Sequence, residues 1–309
     1  MNARFSISRL FVAMLLLVGA YTSRGQQDPL YSQYMFNTLA FNPAYAGSAD
    51  VFTVMALSRH QWVGFDGAPA TQTVLARTPL KARNLALGFS AINDKIGPSH
   101  QTGVYGDFAY RIKTGDDSRL SFGLKGGMNI YQADLASLTS VEVDPANVNV
   151  SGQLLPNFGF GLYWHGPRYY LGASAPKLLE NKMGTVSGNV LVQSNEARHY
   201  FLIGGYVFDL SRDLKFKPSF MFRTVEGAPL SLDLNASFLL RDRIWFGAMY
   251  RLGNAFGVMG QYQVNDQFRI GYAFDLTTTK IGGYNAGTHE IMVSYDFRFV
   301  KGQTISPRV

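Results

Sequence analysis

The residue types that most often carry enzyme chemistry are scattered along this sequence. Its five histidines are His60, His100, His165, His199 and His289. None is spaced with another histidine or a carboxylate as metal ligands usually are. Cysteine is absent, which excludes thiol catalysis, disulfides and cysteine-ligated metals. We find no nucleophile elbow, phosphate loop or dinucleotide fingerprint. The sequence therefore predicts a protein that is not an enzyme and that holds no cofactor or metal.

The composition favours a β-rich protein whose surface is not wholly in water. Charged residues make up only 16% of the 309 residues, whereas 47% are hydrophobic. Glycine (32), phenylalanine (23) and tyrosine (17) are abundant, as in a body with many strands and turns. The net charge is +7, but the basic residues form no stripe of the kind that binds nucleic acid. We therefore expect no nucleic-acid partner.

The N-terminus has the pattern of a secretory signal. Arg4 and Arg9 precede an apolar run over residues 10–20 that is too short to span a bilayer comfortably. The pattern is compatible with cleavage after Ala20 or after Gly25. Cleavage after Gly25, which we prefer, leaves Gln26 as the new N-terminus. We predict that residues 1–25 are a signal peptide and that the protein is exported.

Most of the chain after residue 50 alternates between apolar and polar residues. Between 230 and 240, for example, the even-numbered residues are all apolar, and the odd-numbered residues up to 237 are polar. Many such segments reach about ten residues, the length that a tilted strand needs to cross a bilayer. We predict fourteen strands, near 51–60, 70–79, 84–93, 100–113, 118–130, 157–165, 168–175, 198–209, 213–224, 229–240, 243–251, 254–264, 267–276 and 288–299.

These segments predict an all-β fold, a transmembrane antiparallel β-barrel of about 14 strands that occupies residues 51–300. Short connections alternate with mostly longer ones, as expected when turns lie at one end and loops at the other. The even strand number places both termini at one end, and residues 301–309 form a tail. The apolar face meets lipid. Charged residues predicted to face the lumen are Asp107, Arg111, Lys125, Lys215, Lys217, Arg223, Asp233, Arg269, Asp275, Glu290, Asp296 and Arg298.

Residues 27–47, QDPLYSQYMFNTLAFNPAYAG, differ from the signal and from the strands. They are dense in aromatic and apolar residues and carry a single charge, on Asp28. The spacing of Tyr31, Tyr34 and Leu39 fits one face of a short helix, for which Asp28-Pro29 is a plausible start. Asn42-Pro43 ends it, because the residue before a proline is disfavoured in the α region. We predict a short helical or turn segment within a plug or cap at residues 26–50.

Three motifs carry a resemblance to a known family. They are residues 27–47, the segment RHQWVGFDGAPAT at 59–71, and NDKIGP at 93–98 followed by Tyr105 and Tyr110-Arg111. Together they cover about the first third of the chain. This part resembles the N-terminal signature of the PorP/SprF family, outer-membrane proteins associated with type IX secretion and gliding motility in Bacteroidetes.

The resemblance implies a non-catalytic barrel in outer-membrane lipid that works through protein partners. Those partners are secreted adhesins or other substrates of the type IX secretion system, or its periplasmic or lipoprotein components. We expect both termini in the periplasm, the plug segment at the periplasmic mouth and the 62–69 loop outside the cell. The residues predicted to bind a partner or to form the plug are Asp28, Pro29, Tyr31, Gln33, Tyr34, Phe36, Asn37, Asn42, Pro43, Tyr45, Gly47, Trp62, Gly64, Gly67 and Pro69.

Three alternatives stay open on the residues alone. The same motifs suit packing inside the barrel as well as contact with a partner. A barrel with a charged lumen also suits diffusion or uptake of small solutes. Finally, a soluble exported β protein would show similar alternation, although it would have no reason to separate short turns from long loops.

Overall fold

The computed structural model describes residues 28–48, 51–80, 84–137, 149–187, 190–226 and 228–297. The predicted signal peptide, the C-terminal tail and Arg298 lie outside these residues. Strands dominate the described chain, and none of its helices is long and apolar enough to cross a membrane. The seventeen strands are β1 (Phe52–His60), β2 (Ala70–Pro79), β3 (Leu85–Ile96), β4 (Ser99–Lys113), β5 (Arg119–Ala133), β6 (Val150–His165), β7 (Tyr169–Ala175), β8 (Lys182–Ser187), β9 (Val190–Asn195), β10 (His199–Tyr206), β11 (Phe208–Asp209), β12 (Leu214–Val225), β13 (Ser231–Leu240), β14 (Ile244–Arg251), β15 (Ala255–Gln263), β16 (Phe268–Thr277) and β17 (Thr288–Phe297).

Fourteen of these strands close into one antiparallel barrel. Each pairs with the next barrel strand along the chain, so that β7 pairs with β10 past the β8–β9 hairpin and β10 pairs with β12 past β11. The barrel closes between β1 and β17, from Phe52 opposite Phe297 to His60 opposite His289. Closure gives each of the fourteen strands a paired neighbour on both sides in the part of the chain that the structure describes, and a lipid environment requires such pairing because water is absent there to satisfy backbone groups. The prediction of a barrel of about 14 strands is confirmed.

The two faces of the wall differ as the alternation predicts. In β4, Val104, Phe108 and Ile112 are exposed on the outside, whereas Tyr105 and Asp107 are buried on the inside. The outer face is therefore apolar enough for contact with lipid. Almost all described charges predicted to face the lumen are buried. Lys215 is the exception: it is half-buried, and its ammonium bonds the Asp242 carboxylate in the 241–243 turn at 2.6 Å.

The connections separate into two ends. The short-turn end carries the connections 80–84, 114–118, 166–168, 207–213, 241–243 and 264–267. The long-loop end carries 61–69, 97–98, 134–149, 176–198, 226–230, 252–254 and 278–287. The 97–98 connection is shorter than predicted because β3 and β4 extend towards each other.

Two features of the long-loop end differ from the sequence prediction. β6 begins at Val150 rather than near 157, and it continues past Pro156 through a register shift against β5 between Tyr131 and Ala133. The predicted loop 176–197 contains the β8–β9 hairpin, a separate two-stranded sheet. The hairpin contributes Met183 to the lining of the cavity described below.

Candidate functional site

The plug segment, residues 28–48, lies inside the barrel and extends along its lumen. Asp28 bonds Lys177, which belongs to a connection at the long-loop end. Ser48 instead accepts a hydrogen bond from Arg77, near the short-turn end of β2, at 2.8 Å. Nearly every residue between them is buried. The segment therefore fills the lumen from one end towards the other, rather than only capping the mouth where it joins β1.

The plug segment consists of tight turns and short 3-10 helices, which falls within the predicted helical or turn segment, and its described residues form no α-helix. A turn covers residues 32–36, and 3-10 helices follow at Thr38–Ala40 and Pro43–Ser48. The first helix stops before Pro43, as predicted, and the Asn42 side chain supports the break. Its Oδ1 accepts the Ala44 N–H at 3.0 Å, and its Nδ2 donates to the Leu162 carbonyl at 2.9 Å. Because barrel wall surrounds the segment, the one-sided pattern of an amphipathic helix has no solvent to face.

The backbone of Ser32 and Gln33 is held by one buried carboxylate. Their N–H groups donate to Oε2 and Oε1 of Glu290, each at 2.9 Å. Arg59 binds Glu290 and Asp275 at 3.0 Å each, and its Nη1 donates to the Ser32 hydroxyl at 2.7 Å. Glu290 is fully buried, and its charge is compensated by Arg59 and by the two N–H groups of the plug backbone. We call Arg59, Asp275 and Glu290 the carboxylate clamp.

Asp28 forms a second polar anchor at the long-loop end. Its carboxylate bonds the Lys177 ammonium at 2.7 Å, and its N–H donates to His199 Nε2 at 3.3 Å. Lys177 also lies 3.3 Å from Glu196. Burial is the largest single influence and would raise the pKa of Asp28, but the charge and hydrogen bond of Lys177, together with other nearby positive groups, outweigh it and lower the pKa to about 2. Burial likewise opposes the charged form of Lys177, yet Asp28 and other anionic neighbours raise its pKa.

Aromatic rings hold the remainder of the plug segment. Phe36 packs edge-on against Trp245 at 5.7 Å between ring centroids, and the buried Lys217 ammonium lies 5.2 Å from the Phe36 ring. Tyr45 makes an edge contact with Tyr163 at 5.3 Å. Its other contact is the Arg77 guanidinium, 4.5 Å from the ring centroid. These contacts combine ring packing with cation–π attraction in a place that excludes water.

Two wall glycines allow the plug segment to approach closely. A Cβ added at Gly123 would overlap the backbone at Pro43 and Ala44, and one at Gly161 would overlap the Asn42 amide. Both glycines face inward in long strands, where a larger residue would otherwise favour the sheet. The wall and the plug segment are therefore complementary in shape at the short-turn half of the lumen.

The structure brings most of the predicted site residues together in the plug segment. Tyr31 donates or accepts a hydrogen bond with Thr73 at 2.7 Å, and Tyr34 bonds Ser219 at 3.4 Å. Gln33 Oε1 accepts from Gln261 at 2.9 Å. Asn37 is fully buried, and its amide has no hydrogen-bond partner among the described residues. The other plug residues are in contact with the wall: Pro29, which lines the cavity below, and Gly47, whose carbonyl accepts from Arg111.

The predicted residues of the 61–69 loop lie apart from the plug segment. Trp62 Nε1 donates to the Thr277 hydroxyl at 3.1 Å, and Gly67 accepts a backbone bond from Gly97 at 2.9 Å. Gly64 and Gly67 have φ of 89° and 73°, a region that favours glycine. Pro69 closes the loop by accepting from the Gln61 N–H. These residues connect three neighbouring loops at the rim.

Several residues of the site were not predicted from the sequence to belong to it. Asp275 and Glu290 were expected to face the lumen, but alternation gives no sign that they meet Ser32. Arg59 belongs to one of the motifs that carry the family resemblance, although its carboxylate partners lie more than 200 residues away. Lys177 and Glu196 lie in a predicted loop and gave no signal. Glu196 is buried and accepts from the amides of Asn129, Asn157 and Asn181 at 2.6, 3.1 and 2.8 Å.

A cavity of about 200 Å³ lies between the plug segment and the wall towards the long-loop end. Asp28, Tyr31 and Phe41 of the plug line it, opposite residues of β3, β4, β5 and β10. Within the described ranges no group of three or more histidines, aspartates and glutamates is placed to hold a metal ion. The cavity is therefore the candidate binding site, and the plug segment forms part of its wall.

Solved structures with a similar architecture are outer-membrane proteins and channels. The outer membrane protein Omp33 of Acinetobacter baumannii has 13% identity and a TM-score of 0.46, over 81% of this chain and 100% of that one. A Pseudomonas aeruginosa FadL homologue has 13% identity and a TM-score of 0.49, over 89% and 96%. For the KdgM porin the values are 8% and 0.42, over 80% and 99%.

The sequence comparisons are more specific. No curated protein matches the chain. Residues 23–295 match the family described as type IX secretion system membrane protein PorP/SprF, and this range includes the plug segment and nearly the whole barrel. The chain belongs to the PorP/SprF family of type IX secretion system membrane proteins.

Proposed function

We propose that this barrel is a non-catalytic docking protein of the type IX secretion and gliding machinery. It binds a secreted adhesin, or a periplasmic or lipoprotein component of the machinery, and supports export or surface attachment of its partner. The observation that carries the proposal is the plug segment, which occupies the lumen of a barrel in a secretion family. A filled lumen suits a protein that presents surfaces to partners better than one that conducts solutes.

The lengths of the connections at the two ends support an orientation of the barrel in the membrane. In outer-membrane barrels, short turns lie in the periplasm and longer loops lie outside the cell. We therefore assign the short-turn end, with the start of β1 and the end of β17, to the periplasm. The long-loop end and its cavity then face the cell surface, where a secreted protein would be held.

Co-purification tests the proposed function directly. Outer membranes are dissolved in mild detergent, the tagged barrel is captured, and the proteins that accompany it are identified by mass spectrometry. We expect one secreted protein or secretion component to be enriched over an unrelated barrel. Deleting the gene should also block export or surface attachment of that same protein. Normal secretion and motility in the deletion strain would contradict the proposal.

Substituting the plug aromatics separates docking from packing. Tyr34→Ala and Phe36→Ala remove rings that contact Ser219 and Trp245 inside the barrel. If the plug segment contributes to docking, these variants form a heat-modifiable barrel but lose the co-purifying partner. If it serves only to pack the lumen, barrel folding is lost instead.

A diffusion or uptake barrel is the second candidate, because the cavity lies towards one end of a lumen lined by charges of both signs. This function requires a path past the plug segment. Single-channel recordings of the purified barrel test it. Solute-dependent conductance of the intact protein, enlarged when residues 28–45 are removed, would favour uptake over docking.

A further inference from the structure

The cavity at the long-loop end is lined by aromatic rings from both the plug and the wall. Tyr31 and Phe41 come from the plug segment, Tyr105 and Tyr131 from β4 and β5, and Phe201 from β10. Tyr31 and Phe41 pack edge-on against each other at 5.6 Å. Ring faces carry partial negative charge, so a cluster of this kind attracts an organic cation.

The charged groups around the cavity leave a surplus of negative charge. Three carboxylates line it, from Asp28, Asp94 and Glu196, against the two lysines Lys125 and Lys177. Lys177 bonds both Asp28 and Glu196, and Lys125 pairs with Asp107 just outside the cavity at 3.0 Å. His199 adds no charge in this arrangement, because its Nε2 accepts the Asp28 N–H.

Asp94 is the carboxylate that remains available. Its Oδ1 accepts a hydrogen bond from the Thr71 hydroxyl, and in the part of the chain that the structure describes it has no cationic partner. Asp94 is half-buried on the inner face of β3, where solvent screens a charge less than on an open surface. A cation that enters among the rings can therefore pair with this carboxylate.

We propose that the cavity binds the side chain of an arginine from a protein that docks at the long-loop end. A guanidinium stacks on aromatic rings and donates two parallel hydrogen bonds to a carboxylate, whereas an ammonium acts only as a point charge. The cavity volume of about 200 Å³ suits one long side chain. The plug segment lies behind it, so the occupant belongs to a molecule that stays outside the barrel. The inference rests on the proposed docking function and names the chemistry of the contact.

Three soluble probes test the chemistry without knowledge of the partner. They are the N-acetyl methylamides of arginine, lysine and citrulline, titrated against the full-length barrel in detergent and followed by saturation-transfer NMR. Citrulline has the shape of arginine but no charge. We expect the arginine probe to bind about tenfold more tightly than the citrulline probe, with lysine between them, and the difference to shrink in high salt. Equal binding of arginine and citrulline, or binding of neither, would overturn the inference.

Two variants test whether the probes bind in this cavity. Asp94→Asn removes the charge but keeps an oxygen for the Thr71 hydroxyl, and it should reduce arginine binding to the citrulline level. Ile92→Trp should abolish binding of all three probes, because Ile92 lines the cavity and the larger ring fills it. Asp116→Asn, in a turn at the opposite end, is the matched control and should change nothing. Unchanged arginine binding in both cavity variants would place the site elsewhere and contradict the inference.

The partner itself gives an outcome that separates this inference from the proposed function. An excess of the arginine probe should release the co-purified protein, and the citrulline probe should not. If a partner co-purifies equally with the parent barrel and with Asp94→Asn, docking stands and the arginine contact is wrong. If the arginine probe binds but no partner ever co-purifies, the cavity chemistry stands and the docking function is wrong.

Discussion

The two parts of the plug segment are held in different ways. Residues 28–33, towards the long-loop end, are fastened by ion pairs and by hydrogen bonds to charged groups on Lys177 and the carboxylate clamp. Residues 36–48 rely mainly on ring contacts and on close approach to wall glycines. One part therefore depends on the charge state of a few atoms, whereas the other depends on shape over many contacts.

This difference predicts different responses to change. A buried charge without a partner is strongly destabilising. Removing one member of the carboxylate clamp therefore leaves the remaining buried charges incompletely paired and destabilises the plug segment. Packing contacts fail more gradually, because a ring can be trimmed without leaving a charge unsatisfied. Regions of one protein can open separately from the rest. We expect residues 28–33 to open independently of residues 36–48, which would uncover the long-loop half of the lumen while the barrel stays closed.

The carboxylate clamp gives the largest expected effect. Glu290→Gln leaves Arg59 with one carboxylate and turns one acceptor of the plug backbone into a donor, at a position that is fully buried. We expect the local opening free energy of residues 28–33 to fall by about 3–4 kcal/mol. Hydrogen exchange read by mass spectrometry measures this fall as faster exchange of the Ser32 and Gln33 amides.

The same experiment includes its control. Asp116→Asn lies in an exposed turn at the short-turn end and should leave exchange in the plug unchanged. If Glu290→Gln speeds exchange equally in residues 28–33 and 36–48, the two parts open as one unit and the contrast between them fails.

The sequence predicted the wall far better than the plug. Alternation located each of the fourteen strands, because lipid outside and a polar lumen inside impose a period of two on every one of them. β6 is longer than predicted: it begins at Val150 and passes through Gly152 and Pro156, two residue types that usually interrupt a strand. The β8–β9 hairpin was missed because it pairs only with itself, and its pattern is not set by the two faces of the barrel.

The plug segment was recognised, but its partners could not be derived. Its aromatic content and position predicted a segment packed against the barrel. Its course through the lumen depends on contacts such as that between Ser32 and Glu290, which are separated by 258 residues. The sequence predicted a helical or turn segment, and within the confining wall this segment forms turns and short 3-10 helices. The cavity depends on Lys177 and Glu196, which local sequence gives no reason to select.

Phe36 gives the next largest effect and tests the packed part. Phe36→Ala removes a buried ring that contacts Trp245 and Lys217, and the wall cannot collapse to fill the space. We expect a loss of about 3 kcal/mol in the local stability of residues 36–48, with little change in residues 28–33. Hydrogen exchange resolved by peptide separates the two. Phe246→Ala, next to Trp245 but on the exposed outer face, is the control. An effect confined to residues 28–33 would reverse the assignment of the two parts.

Gly123→Ala tests shape complementarity without changing charge. The added methyl group overlaps the plug backbone at Pro43 and Ala44, so the plug segment has to shift. We expect a loss of about 2 kcal/mol, seen as increased protease cleavage within residues 36–48 of the folded barrel. Gly126→Ala, in the same strand, is the matched control, since a Cβ added there would meet no described atom within 4 Å apart from those of its chain neighbours. Equal cleavage in the two variants would show that close approach at Gly123 does not hold the plug.

Asp28 gives the smallest effect, and it is the one that depends on pH. Its pKa is lowered from 3.8 to about 2, so the ion pair with Lys177 is complete above about pH 4 and is lost as the pH falls towards 2. The shift corresponds to about 2 kcal/mol, which partial exposure of the carboxylate reduces to about 1 kcal/mol.

Asp28→Asn should therefore speed amide exchange of residues 28–33 by about fivefold relative to the parent at neutral pH, after correction for intrinsic rates. At pH 2 the two proteins should exchange at similar rates, since the parent has then lost much of the same charge. A difference that persists unchanged at pH 2 would mean that Asp28 acts through its hydrogen bonds or packing, and that charge holds the polar part of the plug only at the carboxylate clamp.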